Sequence, residues 1–129
     1  MNTILVEVSV GELLDKISIL EIKKEKIKDS EKLKFINDEY EVLKDQLDKN
    51  VKSDEKIDKL FQSLKEINTK LWVIEDDKRL CEKNSDFSEK FIKLSRDIHF
   101  LNDNRAKIKL EINHHTGSNI KEIKKYTSY

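Results

Sequence analysis

Arg105 stands where a hydrocarbon is expected. Phe87, Phe91, Leu94, Ile98, Leu101, Arg105, Ile108 and Ile112 follow one another at spacings of four and three. A helix with that repeat turns one stripe toward a partner. A guanidinium on the stripe must meet an acid, an amide, a bound anion or a second subunit, because an unpaired charge removed from water is strongly disfavoured. A second stripe runs along the preceding helical segment: Phe61, Asn68, Trp72, Glu75, Arg79 and Glu82 share one face. If the two segments form a hairpin about residue 85, Arg105 arrives near Leu64 to Asn68, Trp72 near Ile98 and His99, and Glu75 near Leu94 to Asp97.

Such a constellation suits a planar or anionic ligand. Guanidinium groups fork onto carboxylate or phosphate, and an indole offers a stacking face. Arg105, Arg79 and Arg96 are the candidate anion contacts, Asn68 and Trp72 would orient the ligand, and Glu75 or His99 would handle protons. The plainer reading of the same residues outweighs this one. Glu75 and Arg79 form an ordinary helical i,i+4 pair, Trp72 is a core residue, and a buried charge often sets only register or partner.

Other chemistry is not signalled. His114 and His115 with Glu111 point in different directions on a helix and have no second pair, so no metal is expected. There is no Gly-rich phosphate loop, cysteine pair or nucleophile motif, and no catalytic residue or cofactor is expected. Glu12, Asp15 and Lys16 follow the first cap, where acids favour the helix dipole without any catalytic role.

The elements that must position these side chains are helices. The 129 residues include no proline and two glycines, and 40% are charged, in equal numbers of acids and bases. That composition fits one all-α domain over residues 1–129. Balanced charge without a contiguous basic face argues against nucleic acid as a partner. No apolar run approaches the roughly 20 residues that span a bilayer, and the opening lacks a basic region and a cleavage site. A cytoplasmic protein is expected, with Cys81 a buried thiol on its helix's apolar stripe.

Along the chain, Ile4 to Val10 alternate in the manner of a short strand. Ser9 with Glu12 makes a capping box for a first helix that ends at Asp29-Ser30. A second helix is expected from about Glu31 to Lys49, and a third from about Asp54 to Lys83, capped by Ser53 or Asp54. Asp86 with Glu89 opens a fourth, which runs to about His115 and stops at Gly117. The tail pairs with the N-terminal strand, or the same strand of a second subunit does. The architecture is therefore an antiparallel four-helix bundle with a long third/fourth hairpin.

Unequal helix lengths leave the far end of that hairpin as a bare two-helix tip exposing Cys81, Phe87 and Phe91. Apolar surface of that kind marks an interface. Phe87, Phe91, Ile4, Val6 and Val8 are the candidate interface residues. The leading expectation is a small interaction or structural module, self-associating as a dimer or meeting another protein. The alternative is a binding protein or enzyme for a small anionic or planar metabolite.

Four segments carry a resemblance: ILVEVSVGELLDKISILEIK (Ile4 to Lys23), INTKLWVIEDD (Ile67 to Asp77), FIKLSRDIHFLNDNRAKIKLEIN (Phe91 to Asn113) and GSNIKEIKKY (Gly117 to Tyr126). They resemble a family of short bacterial and phage proteins known as a domain of unknown function. The resemblance spans nearly the whole chain, implies a complete stand-alone protein, and carries no catalytic residues with it. GELLDKISILEIKKEKI also resembles the first helix of small all-helical chorismate mutases, an analogy of architecture confined to about one helix.

Overall fold

Ser9 opens the first helix as expected: its hydroxyl accepts from the Glu12 amide at 3.1 Å. The computed structural model describes residues 2–120 and 123, and its order is α1 (Val10–Lys26), α2 (Ser30–Asn50), α3 (Glu55–Lys83) and α4 (Glu89–Thr116). The Asp29 carboxylate caps α2 through the Glu31 and Lys32 amides, and the Asp54 carboxylate caps α3 through the Ile57 amide at 2.8 Å. These short polar side chains satisfy amides that have no partner in a first helical turn. Gly117 closes α4 at φ 67°, the left-handed conformation that a residue without Cβ adopts freely.

Two local expectations are corrected. The N-cap of α4 is Ser88, not Asp86, and the Asp86 carboxylate instead accepts from the Ser88 amide at 3.1 Å. The segment from Ile4 to Ser9 forms no strand, and no strand occurs among the described residues. Alternation gives a chain two faces, but a strand needs a neighbour for its ladder, and none of the described residues supplies one. The C-terminal part of the tail, which was to pair with it, lies outside the described residues. On the near side, the Val10 amide meets the Ser118 hydroxyl at 3.3 Å, which holds the start of α1 beside the end of α4.

The bundle is organised around its shortest helix. The backbone of α1 packs against all three others, α3 and α4 pack along each other, and the backbone of α2 approaches α1 alone. Leu14, Ile57, Leu64 and Ile112 form the core where the first turns of α1 and α3 meet the last turns of α4. Leu47 and Val51, at the end of α2, pack against the same cluster. Farther along, α1 turns Ile17, Leu20 and Ile22 inward, and α2 contributes Ile36. Polar ties seal the rim: Lys65 reaches Glu21 at 3.1 Å and Glu25 at 3.0 Å, while Lys24 lies 4.0 Å over the Tyr40 ring. The Glu25 hydrogen bond, against a desolvation penalty, raises the Lys65 pKa. Burial, followed by the nearby Glu21 charge, raises that of the Tyr40 phenol.

With 29 and 28 residues, α3 and α4 outrun the 17 of α1. Their far end is a two-helix tip, as helix lengths require. It leaves Leu80, Phe87 and Ile92 exposed. Cys81 is buried, as expected for a thiol on its helix's apolar stripe, and is not exposed by the bare tip.

Candidate functional site

Alongside the apolar cluster, polar side chains from three helices meet in the interior. Asp15, Ser18, Asn68, Lys109 and Asn113 are respectively 5%, 0%, 5%, 8% and 1% exposed. Positions 105, 109 and 113 stand four apart and so turn one face of α4 toward α1, which answers with positions 11, 15 and 18. Asn68 enters from α3.

The hydrogen bonds define the arrangement. The Asn68 amide donates from Nδ2 to the Asp15 Oδ1 and to the Ser18 Oγ, both at 2.8 Å. The Ser18 hydroxyl in turn donates to the Asp15 carbonyl at 2.7 Å. An ionised carboxylate only accepts, so Asp15 fixes which end of the Asn68 amide faces it. The other end, Oδ1, accepts from Arg105 at 3.3 Å. Arg105 therefore meets an amide on the hairpin register its sequence predicts, and through that amide it is linked to a buried carboxylate. One helical turn along, the Lys109 ammonium lies 2.6 Å from the Glu12 carboxylate and 3.8 Å from that of Asp15.

Lys109 thus pairs with both carboxylates, whereas Arg105 reaches Asp15 only through the Asn68 amide. Among the described residues, no buried side-chain nitrogen or oxygen lacks a hydrogen-bond partner. Burying such a set brings little net stability, because desolvation offsets attraction, whereas leaving one member unpaired is costly. Its physical effect is to specify how α1 lies across α3 and α4. Gly11 makes that closeness feasible: its amide donates to the Asn113 Oδ1 at 2.7 Å, and a Cβ there would stand 2.5 Å from the Lys109 carbonyl oxygen.

Asp15 is the main correction to the sequence reading. It is a buried anchor that bonds α3, a role beyond the helix-dipole effect expected of an acid near the first cap. Lys109, Ser18 and Asn113 were missed altogether. The four-residue spacing of Arg105, Lys109 and Asn113 was the available signal, obscured because lysines elsewhere in this chain are ordinary surface residues.

Beside the network, α1 and the hairpin enclose a cleft of about 320 Å³ that is partly open to solvent. Four of the seven candidate ligand residues, Asn68, Trp72, Glu75 and Arg105, line it together. Asn102 joins them from α4, and Ile19, Ile22 and Leu71 supply its apolar walls. The other three candidates stand elsewhere. Arg79 lines a second groove farther out, which shares Glu75 with the cleft and adds Lys78, Glu82 and Phe91. Arg96 is exposed, its guanidinium 5.7 Å over the Phe100 ring. His99 is exposed too, 4.0 Å from the Asp103 carboxylate. No three His, Cys, Asp or Glu side chains converge among the described residues. His115 instead bonds the Asp54 cap at 2.8 Å. The Ile57 amide, and next His115, lower the pKa of that carboxyl.

The candidate interface residues divide as well. Ile4, Val6 and Val8 are exposed, as is Phe87, whereas Phe91 is half-buried. The two phenylalanine rings meet edge to face at 5.3 Å, and Lys78 sits 5.3 Å over the second. No described helix is long and apolar enough to cross a membrane.

Fold and interior together define a small four-helix bundle in which a neutral polar cluster keys a central helix to a long hairpin. The chain belongs to DUF6165, a family of unknown function, whose model matches residues 4–129. Comparison with curated proteins and with solved structures finds no match.

Proposed function

We propose that this protein is an interaction module that associates with a second copy of itself. The observation carrying this reading is the N-terminal segment, where Ile4, Leu5 and Val6 are 84%, 92% and 74% exposed. Consecutive large aliphatics in water are unfavourable, and the alternation of residues 4–8 suits a ladder that no described residue completes. The same segment of a second chain offers a partner by symmetry, which is the simplest way for a single sequence to cover its own edge. The exposed Phe87 and Leu80 at the hairpin tip extend the apolar surface available for burial.

Light scattering tests this reading directly. The intact chain should have a mass near twice 15.3 kDa, and Val6→Glu should return it to a monomer with unchanged helicity. A stable wild-type monomer at micromolar concentration, or a dimer indifferent to Val6→Glu and to Ile4→Lys, would sink the proposal.

A further inference from the structure

Arg105 carries five N–H donors, and among the described residues one acceptor, the Asn68 Oδ1, meets them. Asn68 cannot turn away, because its amino group is held by Asp15 and Ser18. The guanidinium is therefore tethered through one nitrogen at the cleft, with donors left for a guest. The walls beside it are hydrocarbon from α1 and the half-buried ring of Trp72 from α3, with the Asn102 amide across from them. Small-ligand sites combine just these parts: mostly apolar walls, a few fixed polar groups and a volume of about 300 Å³ or more.

The charges select the guest. Among the described residues, Arg105 is the one cation lining the cleft, and Glu75, exposed, its one acid. A phosphate dianion would want further cations and would be repelled by Glu75, whereas one carboxylate matches one guanidinium fork. A flat ring has Trp72 to lie against. We infer that the cleft between α1 and the α3–α4 hairpin binds a small aromatic monocarboxylate, its carboxylate on Arg105 and its ring against Trp72. This site is independent of the N-terminal segment and would operate in a monomer or a dimer.

Trp72 is the chain's only tryptophan, so its emission reports on the cleft alone. The intact protein would be titrated with benzoate, benzyl alcohol and inorganic phosphate at constant ionic strength. Benzoate should give a saturable change in emission, and the alcohol and phosphate should give none. Arg105→Lys, which keeps the charge but loses the fork, should weaken benzoate at least about tenfold. Glu75→Gln changes an exposed residue outside the buried network and should tighten benzoate about two- to tenfold by removing like charge. It serves as the decisive variant if Arg105→Lys does not fold. A linear, non-saturating response to benzoate, equal binding of phosphate, or a Glu75→Gln protein with unaltered affinity would each overturn the assignment.

Discussion

The two ends of the α3–α4 hairpin carry the same seven-residue pattern and reach opposite states. At the base, where α1 lies across them, even charged residues are buried: Lys109 and Asp15 sit in the interior with Leu64 and Ile112. At the tip, where no third helix comes, Leu80, Phe87 and Ile92 face water. Two helices can bury only the stripe they share, and a third is needed before flanking positions go inside. Burial in this chain thus follows from neighbours more than from residue type.

That contrast has measurable consequences. Lys109→Ala should be the most damaging single change, because it leaves the Asp15 carboxylate in the interior without its cation. Chemical denaturation should show a loss of about 3–5 kcal/mol. Leu64→Ala, at a position 0% exposed, should cost about 2–5 kcal/mol. Leu80→Ala, at 50% exposure on the tip, should stay within about 0.5 kcal/mol when compared in the Val6→Glu monomer. Equal effects for the two leucines would erase the distinction between the ends.

Gly11→Ala isolates the closeness of α1 and α4. Alanine is the better helix former by about 1 kcal/mol, yet its methyl would collide with the Lys109 carbonyl. A net destabilisation of about 1–3 kcal/mol is expected. A stabilised variant would show that the helices separate at little cost.

The smallest effects concern acid pH. Asp54 at the base and Asp86 at the tip both have carboxyls held below the usual range, the first by the Ile57 amide and then His115, the second by Ser88. A lowered folded-state pKa gives a contribution that is complete above the unfolded value and fades as pH falls through the folded one. Thermal melts from about pH 6 down to about pH 2 should therefore lose less on acidification in Asp54→Asn than in the wild type. Asp86→Asn should shift the curve less, since its partner is two residues away and no second helix depends on it. Curves superimposable on the wild type for Asp54→Asn would detach that cap from the base.

Much of the fold was legible in residue order because helix signals are local. The polar cap at Ser9, the one expected at Ser53 or Asp54, the glycine stop at Gly117 and the three-four spacing of aliphatics each act within a turn or two. The Arg105–Asn68 meeting was legible for the same reason, since a hairpin about residue 85 fixes its own register. The N-terminal segment was misread because alternation describes a face and a strand requires a neighbour. Asp86 was misread because its carboxylate bonds the Ser88 amide just ahead of the helix.

By itself, the order of residues determined four helices, their boundaries to within a few residues, and that one guanidinium would need company. Only the tertiary structure decided that α1 is the central helix, that Asp15 and Lys109 share the interior with it, and that Arg79, Arg96 and His99 stand apart from Arg105. The reason is range. Caps and periodicity are settled by residues a few positions apart, whereas the burial of a charge depends on which distant helix comes to lie over it.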